Sequence, residues 1–479
     1  MSERPMPNSY REVPVAPESL ASEVLDELEG AGLRVDTSAM SRANHARDWW
    51  PRLIPEVHAG RVEQWPGCVV FAATTEDVRA TLRVASRHCV PVTAQGGRSS
   101  VVGAATPLAG AITLDLTEMN RVLDIDATSG LVRTEVGILG PALETALARH
   151  DLTLGHFPQS FDLASVGGWI ASRGAGQLSN RYGTIDEMVR SLTVVLANGD
   201  VVHVGSHGPR EACGPDLSRL FLGSEGTLGV ITEATLRARR RATYEERRAF
   251  SFGSFEHGLD ACRRVIQRGA RPAVLRLYDG VESKRNFELE DCALIVLDEG
   301  DEALVRATLS IVDEECSTAL ARDHSLVAHW LERRNDVSAL GPLWERGFVV
   351  DTIEVAGFWS ILPELHRRVL DVLGALEGAQ VASVHQSHAY DDGACLYFTF
   401  AGQSSDPQEF YRRAWDAAMD VVMDLGAAIS HHHGVGRNRA RFVPRALGDS
   451  YSVLRDLKEM LDPTGIMNPG VLGLAGDAW

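Results

Sequence analysis

Gln95-Gly96-Gly97-Arg98-Ser99-Ser100 follows directly on the apolar run Pro91-Val92-Thr93-Ala94, and the fold turns on this segment. Two glycines let a backbone turn sharply and let peptide N–H groups approach an anion closely. The serine hydroxyls add donors and Arg98 adds charge, so a diphosphate fits, although a plain tight turn accounts slightly better for the segment taken alone. The spacing is neither GxGxxG nor GxxxxGK[ST], which excludes the Rossmann fingerprint and the P-loop. Upstream, Val69-Val70-Phe71-Ala72 predicts a strand, and Thr74 with Asp77 predicts a capping-box start to a helix carrying Val78 and Leu82. Downstream, 111–116, 121–125 and 131–136 predict strands and 139–148 a helix, the mixed order of an α+β or α/β domain.

Three further places share the character of the first loop. Gly155-His156-Phe157-Pro158-Gln159-Ser160 leads into Ala164-Ser165-Val166-Gly167-Gly168-Trp169-Ile170-Ala171-Ser172. Asn180-Arg181-Tyr182-Gly183 follows, and Phe221-Leu222-Gly223-Ser224-Glu225-Gly226-Thr227-Leu228-Gly229-Val230-Ile231-Thr232 is the last. One such loop is weak; together they point to a long ligand lying extended against backbone.

The chain has 479 residues, which at about 150 per domain suggests three domain-sized units. We divide it into an N-terminal helical region (1–64), a ligand-binding domain (65–240), a second domain (241–425) and a C-terminal segment (426–479). The charged stretch from Arg237 to Arg248 is taken as solvated strand ends at a junction. The net charge of −18, with no basic block, argues against nucleic acid as a partner. No apolar run reaches the ~18–20 residues that would cross a bilayer, and Met1 to Val13 is too polar for a signal peptide. Seven cysteines, an odd number with no CxxC pair, predict small buried thiols in a reducing cytoplasm.

Ile429-Ser430-His431-His432-His433-Gly434-Val435-Gly436-Arg437 is the second informative stretch. In a strand, His431 and His433 share a face that His432 does not; in a helix, neighbours point about 100° apart. The spacing also lacks the i, i+4 pair of a zinc helix, so no metal is expected. Imidazole near neutral pH suits acid–base work, with a solvated histidine run as the alternative.

The glycine-rich segments resemble the FAD-binding domain of the vanillyl-alcohol oxidase and p-cresol methylhydroxylase superfamily, with Glu225 to Thr232 the most specific mark. The resemblance implies an α+β fold: a two-part FAD-binding domain, an α/β cap domain at 241–425, and a C-terminal segment returning to the flavin. It implies FAD held by Gln95, Gly96, Gly97, Arg98, Ser99, Ser100, Gln159, Ser160, Ser165, Gly168, Ser172, Tyr182, Gly183, Glu225, Gly226, Val230 and Ile231. Many members attach flavin through a histidine after the glycine pair; Arg98 stands there, which implies non-covalent FAD. His-His-His-Gly-Val-Gly is similar to the alkylglycerone-phosphate synthase family. So are Gly155-His156-Phe157-Pro158, Leu275-Arg276-Leu277-Tyr278-Asp279 and Tyr390-Asp391-Asp392-Gly393-Ala394-Cys395-Leu396-Tyr397-Phe398. Position by position this implies active-site roles for Tyr397, His432, His433, His156 and Arg276. On residue type alone, a core tyrosine, a loop histidine and a surface arginine are the alternatives for Tyr397, His156 and Arg276. Metal-assisted 2-hydroxy-acid dehydrogenases of the superfamily carry a second histidine and a Glu-His-Gly-Ile-Gly motif at these places, and fit less well.

The resemblance implies an FAD-dependent oxidoreductase acting on a small organic substrate at a C–H beside a hydroxyl, ester or amine. Redox-neutral ether-bond formation is the runner-up, and a non-catalytic flavin-binding protein the third possibility. The expected partners are a small-molecule substrate and a second copy of the chain in a homodimer. A phosphate-binding arginine of the resembled synthase corresponds to Leu340, which speaks against acylated dihydroxyacetone phosphate as substrate.

Overall fold

The computed structural model describes residues 15–336, 343–344 and 346–474. Leu340 and the Met1–Val13 segment lie outside the described residues.

The strands Cys68–Phe71, Ile112–Asp115 and Val92–Gln95 form a parallel layer, with Arg34–Asp36 added antiparallel at one edge. A parallel pair needs a crossover, and the helix Thr75–His88 supplies it. Its capping box is formed as the sequence implies: the Thr74 side chain accepts from Asp77 N–H while Asp77 reaches back to Thr74 N–H. Val78, Leu82 and Ala85 are buried on its inner face. Residues 15–65 are less helical than their apolar spacing predicts, because Arg34–Asp36 pairs with Val69–Phe71 instead of continuing the Ser22–Gly30 helix. A second, antiparallel sheet runs in the order Val122–Asp126, Leu131–Glu135, Val230–Arg237, Val189–Val195, Val201–Gly205. The glycine-rich segments lie at the ends of strands and helices of these two layers.

The third sheet is antiparallel throughout and has seven strands: Leu320–Arg322, Tyr244–Phe252, Cys292–Gly300, Val274–Tyr278, Ala379–Ala389, Gly393–Gly402 and Val349–Phe358. Alternation gives it two faces. Leu275, Leu277, Ile353, Val355, Leu396 and Phe398 point into an apolar core with the helices Phe255–Gln267, Glu302–Glu315, Leu362–Gly374 and Pro407–Asp424. The opposite face carries polar groups in register: Tyr278 pairs with His385, His385 with Tyr397, and Tyr397 with Glu354. Directly paired residues share a face, so ladder geometry alone gathers these four side chains in one row.

The segment after the last long helix returns to the first sheet. Val92 N–H donates to Ile466 O at 2.7 Å, and Asn468 N–H to Val92 O at 2.9 Å. The buried Lys458 ammonium donates to Asp462 and to the carbonyls of Thr227 and Met467. All seven cysteines are free thiols; five are buried as expected, but Cys89 and Cys213 are exposed. Cys89 ends the crossover helix in the left-handed region, at φ 50°, which turns it outward. No helix of the described residues is long and apolar enough to cross a membrane.

Candidate active site

A cavity of about 870 Å³ runs from the 95–105 loop to the polar face of the seven-stranded sheet. At the first end, the strand Val92–Gln95 stops and its loop turns along the wall. Among the described residues, no peptide N–H from Gly96 to Val101 donates to a protein acceptor. Arg98, itself at φ 54°, lies with Nη1 3.6 Å from the Asp115 carboxylate and makes no hydrogen bond through that nitrogen. Unspent N–H groups beside a half-buried guanidinium form an anion cradle, the donor set a diphosphate requires. The glycines serve packing as well as turning. A Cβ on Gly97 would sit 1.6 Å from Leu163 O, and one on Gly96 would sit 2.0 Å from Ser165 Oγ.

The residues expected to bind cofactor line this cavity in groups: the 95–100 loop, then Gln159 and Ser160, then Ser165, Gly168 and Ser172, then Glu225, Gly226, Val230 and Ile231. Two of them also hold the wall together. Gln95 donates to the carbonyls of His45 and Ala105. Glu225 accepts the peptide N–H groups of Val435 at 2.6 Å and Gly436 at 2.7 Å, fastening the histidine segment to the flavin layer. Burial nevertheless pushes its carboxyl up to about 7.

Tyr182, Gly183 and His156 do not line the cavity. The Tyr182 hydroxyl donates to Glu299 at 2.5 Å, and its ring fills the space a side chain on Gly155 would need. Gly183 adopts φ 87°, with the Glu187 carboxylate where a Cβ would stand. Its glycine is required by a turn, which from sequence looks the same as a cofactor loop. His156 is fully buried against Trp169, with ring centroids 4.7 Å apart and neither nitrogen partnered. Burial takes its imidazole down to about 3.

At the other end, Tyr397, His432, His433 and Arg276 all line the cavity. The Tyr397 ring stacks on His385 at 4.8 Å and meets His433 edge-on at 5.5 Å. Thr352 Oγ1 donates to its phenol oxygen at 3.0 Å, which leaves the phenol O–H free to donate onward. Burial raises the phenol above its ordinary value. Arg276 Nη2 lies 2.7 Å from His385 Nε2. Arginine only donates, so Nε2 accepts and the His385 proton sits on Nδ1, facing Glu282 at 2.8 Å. Burial favours the neutral form of Glu282, but His385, Arg285 and Thr399 outweigh it and hold the carboxyl at about 2. Arg276 Nε remains buried and unpartnered.

The three histidines lie in a segment that is neither helix nor strand. The expectation that neighbouring imidazoles point apart therefore does not hold. His431 Nδ1 lies 2.8 Å from His432 Nδ1. Ring nitrogens of His388, His431 and His432 lie within 4.8 Å of one another, close enough to admit a metal ion. Ser179 Oγ meets His388 Nδ1 and the Tyr390 hydroxyl meets His431 Nε2, each at 2.7 Å. Burial lowers the pKa of all of these histidines, His431 to about 4 and His388 and His432 well below the ordinary value. His433 is also lowered by burial, partly offset by Glu354.

His385, His388 and Glu282 were not singled out from sequence, although the His-Gln-Ser-His spacing on one strand was a usable signal. Glu354 also went unassigned, because an acid inside a strand gives no sign of being fully buried.

A family model described as an FAD binding domain matches residues 66–205, and one described as the C-terminal domain of FAD linked oxidases matches 243–472. The chain belongs to the FAD-linked oxidases. It is 28% identical to the FAD-linked oxidoreductase YgcU of Escherichia coli (strain K12), over 94% of this chain and 97% of that one. It is also 28% identical to the alkyldihydroxyacetonephosphate synthase of Trypanosoma brucei brucei, over 96% of this chain and 81% of that protein. A solved alkyldihydroxyacetonephosphate synthase superposes with a TM-score of 0.80 at 26% identity, over 96% of this chain and 87% of the other. p-Cresol methylhydroxylase shares the fold, with a TM-score of 0.77 at 16% identity over 95% and 98%. As an FAD-linked oxidase, the chain has the superfamily fold expected from its glycine-rich segments, and FAD is the cofactor its domain binds.

Proposed function

We propose that this FAD-linked oxidase removes hydrogen from a carbon bearing a hydroxyl, ester or amine of a small organic substrate, using non-covalently held FAD in a reducing cytoplasm. One observation carries this reading: the anion cradle at Gly96–Val101 and the Tyr397–His432–His433 group open onto the same cavity. Bound there, FAD supplies the two-electron acceptor. The chain supplies placement and proton transfer. Gly96 to Val101 and Arg98 hold the diphosphate, and Arg98 stands where covalent attachment would need a histidine. His432 and His433 are neutral at neutral pH because burial disfavours their charged forms. Glu354 partly offsets that cost for His433, so His433 accepts the proton from the substrate and His432 lies beside it. Tyr397 stays protonated and directs its O–H at the substrate while Thr352 fixes its oxygen. Arg276, oriented through His385 and Glu282, presents its unpartnered Nε. We read the site as metal-free, because both ring nitrogens of His431 are engaged, Nδ1 with His432 and Nε2 with the Tyr390 hydroxyl, which leaves that imidazole none for an ion.

Redox-neutral ether-bond formation is the second function the geometry favours. Arg276, Arg285, Arg333 and Arg334 all line the cavity and would suit a phosphate, whatever stands at position 340. The test is an anaerobic screen of the FAD-loaded protein with 2-hydroxy acids, alkylphenols and amines, following flavin bleaching and dye reduction. Acyl-dihydroxyacetone phosphate with a long-chain alcohol forms a separate arm. Bleaching by a phosphate-free compound supports oxidation. Ether product without any acceptor establishes the second function, and bleaching by nothing in the panel with no ether product overturns the proposal.

A further inference from the structure

Glu354 lies in the strand Val349–Phe358 and is fully buried, as is Arg439, its ion-pair partner. Its Oε1 accepts from Ser430 Oγ at 2.7 Å, from the peptide N–H groups of His431 and His432 at 3.2 Å each, and from that of His433 at 2.9 Å. Arg439 Nη1 adds a further donor at 3.0 Å. One carboxylate oxygen thus gathers three successive peptide N–H groups in a stretch that no helix or sheet ladder holds. Three N–H groups aimed at one point curl the backbone around it and fix where each of the three side chains leaves the chain. His431 accordingly stacks on His388 at 4.8 Å, His432 meets His388 edge-on at 5.1 Å, and His433 meets Tyr397 at 5.5 Å.

Net stability does not explain the pair. Two charges leave water, and well-packed apolar residues often do as well or better in such a place. What apolar residues cannot do is accept three N–H groups.

We propose that Glu354, anchored by Arg439, is the positioning residue that sets the orientation of His431, His432 and His433 and, through the ring contacts that this orientation makes (His431 Nδ1 with His432 Nδ1, His431 Nε2 with the Tyr390 hydroxyl, His433 Nδ1 3.4 Å from Glu354 itself), their tautomers. Arg439 neutralises the carboxylate, donates to Ile429 O at 2.9 Å and lies over Trp415 at 4.9 Å, so the anchor is itself fixed on three sides. The proposal rests on the reading of these imidazoles as proton carriers, yet its test needs no turnover.

The experiment uses the full FAD-loaded chain with ring-15N histidine, the three imidazoles being assigned by single His→Gln variants. Each is expected to show one tautomer in the parent protein. In Glu354→Met, which removes both accepting oxygens, these signals should move to tautomer-averaged positions, while that of the buried His156 stays in place as a control. Unchanged signals in folded, FAD-loaded Glu354→Met would overturn the proposal. Should that variant fail to fold with Arg439 left uncompensated, Glu354→Met/Arg439→Met removes both charges, with the same expectation. The parent spectrum is decisive should neither fold: averaged tautomers there refute the proposal, and single tautomers support it. A screen in which no compound bleaches the flavin would instead refute the proposed function and leave this result intact.

Discussion

Gly97→Ala adds one methyl group to the site. Its Cβ would stand 1.6 Å from Leu163 O, 2.8 Å from Leu163 C and 3.4 Å from Ala164 Cα. A carbon and an oxygen in contact settle at about 3.2–3.5 Å, so the 95–100 loop and the 163–165 segment must separate by roughly 1.6–1.9 Å. A flexible side chain would give way cheaply, but these neighbours are backbone, and Ser165 next door caps the helix Val166–Ser172 through Gly168 N–H. Overpacking costs about 1–3 kcal/mol, and a backbone wedge belongs at the upper end. Both segments line the cavity, so about 3 kcal/mol falls on the state that binds FAD. At ~1.4 kcal/mol per factor of ten, the FAD Kd should rise by about 100-fold. Fluorescence titration of apoprotein with FAD reads the Kd, and calorimetry of the apoprotein reports how much of the cost is borne without cofactor. FAD bound within twofold of the parent, at an unchanged Tm, would refute the close approach of the two loops.

His156→Leu should retain FAD and gain acid stability. The folded pKa of about 3 lies below the ordinary 6.5, so below pH 6.5 the unfolded chain binds a proton that the folded one refuses. The gap between variant and parent, measured by urea melts, should widen by about 2 kcal/mol on going from pH 7 to pH 5; loss of FAD would instead place His156 at the flavin. Tyr397→Phe, His432→Ala and His433→Ala should keep the flavin absorbance but slow its bleaching by the best compound of the screen by about 10²–10⁴-fold. Parent rates in all three would make them structural. EDTA dialysis should change neither bleaching rate nor spectrum, and a stoichiometric metal in the purified protein by elemental analysis would contradict the metal-free reading.

The strands around the first loop were legible because apolar runs, a capping box and glycines are local signals. The cofactor loops were legible by type, but Gly183 shows the limit: a glycine demanded by φ 87° beside Glu187 is indistinguishable in sequence from one that admits a diphosphate. The third sheet hid its use. Leu396, Tyr397 and Phe398 read as an ordinary alternating strand, and only the pairing of His385 with Tyr397 and of Tyr397 with Glu354 shows which face gathers the polar groups. The histidine segment was misjudged in geometry because its shape is imposed by an acid roughly eighty residues earlier in the chain, through hydrogen bonds that no spacing rule encodes.

The return of residues 458–468 to the first sheet has a consequence for biosynthesis. The Gly96–Val101 loop leaves the ribosome early, but Val92, Thr93 and Ala104 at its base are hydrogen-bonded by Ile466 and Asn468. Glu225, on the facing wall, closes on Val435 and Gly436. Cofactor capture must then wait for almost the whole chain. A nascent polypeptide stalled before Asp462 should emerge colourless, and the cell must keep its half-built flavin layer from aggregating until the last strap is threaded.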